Sequence, residues 1–220
     1  MADVRKDGLV GYWKFDEGQG TAAHDSSGNG NDGMLYNNPV WVDGKFGKGL
    51  QFNGVNNYVS IPPSPGLNLS IPNKATYSLW LKVGPWVQIW NGNNLTIPLY
   101  HGTWAYGQGF GVTNDPVPYA QGMITVNANS PPSATYTVDR TNFYYLSWTY
   151  NGSEWDVYMN GALRNTYNYP GTLNTTTFNN GIYIGAATGG LWRDFSGIID
   201  EVKVYNKVVI PDDTINLKAA

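Results

Sequence analysis

The chain has 220 residues, no cysteine and a formal net charge of −3, which excludes disulfide frameworks, zinc-thiolate sites and thiol nucleophiles. Aromatic residues make up 15% of it, with nine Trp, against 13% charged residues; rigid rings and neutral hydrogen-bonding groups suit sugars or protein contacts. The lack of a Lys/Arg run argues against a nucleic-acid partner, and the lack of a long apolar run argues against membrane insertion.

Residues 1–7, MADVRKD, read as an N-terminal tail without the apolar stretch of a signal peptide. The Asn-rich, Lys- and Glu-poor composition that follows fits an extracellular, cell-surface or virion-associated location, and sequons begin at Asn68, Asn94, Asn151 and Asn174. VGYWKF is the first period-2 strand, with Trp13 expected in the core. DSSGNGNDG, Asp25 to Gly33, then breaks the strand pattern. Further strands are expected at YVSI, YSLWLKV, ITVNA, TYTV, YYLSWTY, WDVYMN, IYIG and IIDEVKVY, with Trp80 and Trp148 in the core and Trp41 covering a sheet edge. The pairs Asn53-Gly54, Asn91-Gly92, Asn151-Gly152, Asn160-Gly161 and Asn180-Gly181 carry the signature of tight hairpins. WTYNGSEWDVYMNGALRNTY therefore reads as three successive antiparallel strands. Only IPDDTINL, near the C-terminus, offers a helical turn, with Asp212 near its start. Many short strands without helices indicate an all-β sandwich or barrel, and the absence of a linker favours a single domain over 1–220.

Residues 85–132 form an irregular region dense in Trp, Tyr, Gly and Pro. Long aromatic loops on a rigid scaffold are where binding sites are built. Trp86, Trp90, Trp104, Tyr106 and Tyr119 there, with Trp192 in GGLWRD, are the candidate glycan-binding residues: an exposed ring stacks on the apolar face of a pyranose. The competing reading is a satellite cluster that holds the loops down.

DSSGNGNDG lacks the Lys and the following helix of a phosphate loop. Asp25, Ser27 and Asn29 with Gly30 match the opening half of a calcium hand, but position 12 is Tyr36, where a bidentate Glu is required. A calcium ion would need another carboxylate from elsewhere in the fold, and the alternative is a cluster of Asx turns. For catalysis, Glu154 and Asp156 form the one i,i+2 acidic pair containing Glu, and they read as a solvated strand edge rather than a glycosidase pair. His24 and His101 lack further metal-ligating partners, and no GxSxG elbow occurs. His101 is expected to pack or hydrogen-bond within a loop. No catalytic residue is expected.

GLVGYWKFDEGQGTAAHDSSGNGNDGML, WVDGKFGKGLQFNGVNNYVSIP, YLSWTYNGSEWDVYMNGAL and FSGIIDEVKVYNKVV together resemble the laminin G-like, concanavalin A-like lectin/glucanase superfamily, in its bacterial and archaeal branch, over most of residues 8–210. The resemblance implies an all-β jelly-roll sandwich of two curved antiparallel sheets, with the N-terminal strand beside IIDEVKVY. It also implies a structural calcium, with Asp25 and Asp200 as carboxylates and Ser27, Asn29 or backbone carbonyls completing about six to eight oxygens. The glucanase pattern ExDxxE is absent, so the enzymatic branch is not carried over. The expected function is a non-catalytic recognition domain for a glycan or cell-surface polysaccharide. The alternative is a structural or assembly protein of a surface layer, filament or virion that self-associates, and a polysaccharide hydrolase or lyase is the least favoured reading.

Overall fold

The structure is a computed structural model that describes residues 7–85, 95–103, 106–113, 117–123, 135–173, 181–187 and 193–211. Its strands are β1 (Leu9–Trp13), β2 (Ala22–Ala23), β3 (Gly33–Tyr36), β4 (Val40–Asp43), β5 (Lys48–Asn53), β6 (Tyr58–Ile61), β7 (Ala75–Val83) and β8 (Leu95–Thr103). There follow β9 (Tyr106–Thr113), β10 (Tyr119–Met123), β11 (Tyr136–Thr137), β12 (Tyr144–Tyr150), β13 (Glu154–Met159), β14 (Ala162–Asn168), β15 (Ile182–Ile184) and β16 (Ser196–Tyr205). Two antiparallel sheets face each other. The first runs β14-β13-β12-β7-β16-β5-β4 with β1 on β16, and the second runs β11-β10-β9-β8-β15-β6-β3-β2. This is the jelly-roll sandwich that the sequence implies.

Alternation decides which side chains enter the core. On β7, Ala75, Tyr77, Leu79, Leu81 and Val83 are buried between the sheets with Trp148 of β12 and Trp155 of β13, while Thr76, Ser78, Trp80 and Lys82 point to the opposite face. Trp80 therefore departs from the expected core position. It is buried on the outer face of the first sheet, edge-on to Phe46 and beside Tyr145. Trp13 and Trp148 are fully buried as expected. Trp41 sits on the edge strand β4, where its indole N–H donates to the Gly20 carbonyl at 3.1 Å.

The β12-β13-β14 meander forms as read. Asn160 and Gly161 both take positive φ, 53° and 82°, the two-residue geometry that matches strand twist. Asn53-Gly54 behaves differently: it carries the chain from β5 in one sheet to β6 in the other. There Asn53 Oδ1 accepts the N–H groups of Val55, Asn56 and Asn57, so the side chain caps a crossover instead of closing a hairpin. The expected ITVNA strand, the Asn91-Gly92 turn, the helical turn at Asp212 and the sequon residues Asn94 and Asn174 lie outside the described residues.

His101 lies in β8, not in a loop. It is fully buried, with its Nδ1 2.6 Å from the Tyr77 hydroxyl of the facing sheet. Burial disfavours the imidazolium and pushes its pKa down to about 3. In the unfolded chain a histidine titrates near pH ~6.5, so the unfolded state binds the proton first. The stability due to neutral His101 is thus full above that pH and is lost as pH falls toward about 3. Urea unfolding between pH 8 and 4 is expected to show a decline that is reduced in His101→Gln; an identical slope in both proteins would refute the linkage.

Candidate functional site

The Asp25–Gly33 loop lies along the edge of β1 that β16 does not occupy. Asp25 Oδ1 accepts the N–H of Tyr12 at 3.0 Å and of Ser27 at 2.9 Å, and its Oδ2 accepts the Asn31 N–H at 3.0 Å. The Ser26 N–H donates to the Tyr12 carbonyl. The Asn29 and Asn31 amides donate to the Leu9 and Val10 carbonyls, and the Trp13 indole donates to the Asn31 carbonyl. The loop therefore acts as a substitute strand that satisfies backbone groups left open on β1.

Asp200 is held elsewhere. Its Oδ2 accepts the Phe46 N–H at 2.9 Å, in the turn between β4 and β5, and the side chain is fully buried. Its other oxygen has no partner, and burial raises its pKa to about 7. The cause of this placement is a bulge: β16 pairs with β5 in its first half and β1 in its second, and Glu201 between them takes a φ of 55°. Three of the roughly four lone-pair sites of Asp25 are occupied by backbone donors, and Ser27 Oγ accepts from Asn29. Among the described residues no group of three His, Cys, Asp or Glu side chains could hold a metal. Asp25, Ser27, Asn29 and Asp200 as they stand do not fit the six to eight oxygens of a calcium shell, for which about that number is needed.

Of the candidate aromatic residues, Trp86, Trp90, Trp104 and Trp192 lie outside the described residues, as does the side chain of Tyr106, whose backbone opens β9. Tyr119 opens β10 and is 38% exposed. Glu154 is exposed on β13, and Asp156 accepts from Thr166 Oγ1 at 2.6 Å, which fits a solvated strand face. His24, also exposed, faces Asp32 at 3.4 Å.

The sequence reading missed a row of tyrosines on the outer face of the second sheet. Tyr36 of β3 and Tyr58 of β6 are register partners whose rings stack at 4.8 Å and 5°. Tyr183 of β15 follows, its ring 6.2 Å from that of Tyr58. Tyr100 of β8 is the register partner of Tyr183 and is buried against Ile97 and Ala187. Met34, which shares a face with Tyr36, is 49% exposed, and Tyr36 itself is 45% exposed. These residues alternate with Leu35, Val59, Ile182 and Ile184, which pack inward, so the core-facing neighbours of each strand fix the tyrosines outward.

The outer face of the first sheet has a different character. Tyr12 donates to Glu201 at 2.5 Å, Lys203 lies 3.3 Å from the same carboxylate oxygen, and its ammonium stands 4.8 Å over the Tyr12 ring. Burial lowers the Lys203 pKa, and the Glu201 charge opposes that shift. At the other end of the same face a cavity of about 260 Å³ opens between Gln51, Lys82, Pro85, Arg140 and Ile198.

A family model described as the concanavalin A-like lectin/glucanases superfamily matches residues 53–214. The chain belongs to the concanavalin A-like lectin/glucanases superfamily. Among solved structures, domain 4 of AbnA, an extracellular arabinanase of Geobacillus stearothermophilus, in complex with arabinotriose, superposes with a TM-score of 0.64 at 18% identity, covering 96% of this chain and 98% of that one. The binding domain of Paraclostridial Mosquitocidal Protein 1 gives 0.69 at 15% identity, and that of botulinum neurotoxin serotype D 0.71 at 13%. These two alignments cover 96% of this chain and 51% of each toxin chain, so the chain spans about half the length of those domains. Identities this low carry the superfamily fold alone. A search of curated protein sequences finds no significant match.

Asp25→Ala is expected to destabilise the domain by about 2–3 kcal/mol, because three backbone donors lose a charged acceptor; Asp25→Asn, which keeps one oxygen acceptor, is expected to cost less. EDTA is expected to leave the melting temperature unchanged. A fall that added calcium reverses would show that a metal, and not this hydrogen-bond set, closes the loop.

Proposed function

We propose that the chain is a non-catalytic glycan-recognition domain that binds its ligand on the exposed tyrosine face of the second sheet. The observation that carries this is the Tyr36, Tyr58 and Tyr183 row, because a ladder of partly exposed rings presents π faces on which the C–H faces of sugars stack. Exposed Asn37 in the adjoining turn and Ser60, which shares a face with Tyr58 on β6, supply neutral hydrogen-bonding groups. Support comes from the fold shared with an arabinotriose-bound domain of nearly the same extent and with two toxin binding domains.

A second reading, assembly with further copies through the same face, is supported by the exposure of Met34 beside Tyr36. Light scattering separates the two, since a strict monomer at high concentration opposes assembly.

Titration against a panel of oligosaccharides, arabinotriose included, is expected to find a ligand whose affinity falls about two- to thirteenfold in each of Tyr36→Ala, Tyr58→Ala and Tyr183→Ala, the range implied by ~0.5–1.5 kcal/mol per aromatic contact. The exposed Tyr36 should be lost with little change in unfolding midpoint. Absence of any binding refutes the reading. Binding insensitive to the three changes but abolished in Trp86→Ala, Trp90→Ala or Trp104→Ala would move the site to the 85–132 region.

A further inference from the structure

The cavity on the first sheet faces away from the tyrosine row and has its own chemistry. Its floor is one cross-strand row: Ile198 of β16 pairs with Gln51 of β5 on one side and with Lys82 of β7 on the other. All three alternate with core residues, so they share the outer face. Arg140 stands at the rim, where its Nη1 donates to the Gly84 carbonyl, and Gly84 is itself anchored through its N–H to the Ser196 carbonyl at 2.8 Å. The guanidinium is thus positioned by backbone.

Charge around the cavity is one-sided. Lys82 and Arg140 contribute two cations, and among the described residues no acidic side chain lines it, although the chain as a whole carries −3. Asp139, next to Arg140 in sequence, does not line the cavity; its carboxylate is turned into its own turn, accepting from Thr141, Asn142 and Tyr144. The paired lysines of the described residues are Lys48, Lys203 and Lys207; Lys82 has no such carboxylate. The volume of about 260 Å³ is that of a site for one or two sugar rings rather than for a lone ion.

We propose that this cavity recognises the anionic group of an acidic saccharide, with Lys82 and Arg140 taking a carboxylate or sulfate, Gln51 a hydroxyl, and Ile198 forming the apolar floor. The guanidinium supplies directional donors and the ammonium a mobile point charge, a pairing suited to a planar carboxylate or a tetrahedral sulfate. The proposal rests on the glycan-recognition reading for its ligand class and on this separate face for its location.

The test is calorimetric titration with oligogalacturonate, a sulfated dextran oligosaccharide, the matching neutral oligogalactan and dextran, and inorganic sulfate. The acidic oligosaccharides are expected to bind about tenfold more tightly than the neutral ones at low salt, an advantage that shrinks with ionic strength. Lys82→Gln should remove that advantage, Lys82→Arg should restore it, and Tyr36→Ala should leave it intact. Sulfate binding as well as the sulfated sugar would reduce the site to a plain anion site and overturn the saccharide assignment. Equal binding of acidic and neutral sugars, or an advantage that survives Lys82→Gln, overturns the inference while leaving the tyrosine face standing. No binding of any saccharide overturns both.

Discussion

The sandwich depends on how β1 is held. β16 pairs along one edge of β1 from Leu9 to Trp13, and the Asp25–Gly33 loop takes the other edge with side-chain and backbone hydrogen bonds instead of a strand. This arrangement buries Trp13 completely and brings the first strand against the last. Backbone groups of β1 that would otherwise be orphaned are satisfied without extending the sheet. A strand in the loop's place would present a fresh edge, whereas a loop rich in Asn, Ser and Gly ends the pairing there.

With closure achieved at one end of the chain, the outer faces of both sheets are left for other roles. The second sheet displays tyrosines whose orientation follows from the burial of Leu35, Val59, Ile182 and Ile184. Part of the first sheet's outer face is buried and polar, with Tyr12, Glu201 and Lys203 forming a connected set, and it opens into a cationic cavity at the Lys82 end. The two faces differ in charge and in exposure, so they suit different parts of a ligand or different ligands. His101 and Tyr77 join the sheets between them through a buried hydrogen bond.

Local pattern carried most of the fold. Asn160-Gly161 specified a two-residue turn because both positions take positive φ, and the strands around it follow by alternation. Period 2 assigned Trp80 to a strand correctly but could not say which of two buried faces it occupies, since both are covered here. Family resemblance brought the strand of IIDEVKVY to β1, but the reach of Asp200 depended on a bulge at Glu201 that no local pattern announces. The tyrosine row was invisible for a different reason: Tyr36, Tyr58 and Tyr183 come from segments far apart in the chain, each an ordinary strand residue, and only sheet order makes them neighbours. The loop aromatics drew attention by density in sequence, a signal that a cross-strand surface never gives.

Recognition on the tyrosine face is tested most directly by NMR of protein labelled at tyrosine rings, titrated with the oligosaccharide that binds best. A glycan stacked there shifts the Tyr36, Tyr58 and Tyr183 ring signals with saturation while those of the fully buried Tyr77 and Tyr150 stay in place. Saturable binding that leaves all three exposed-face signals unmoved would contradict it.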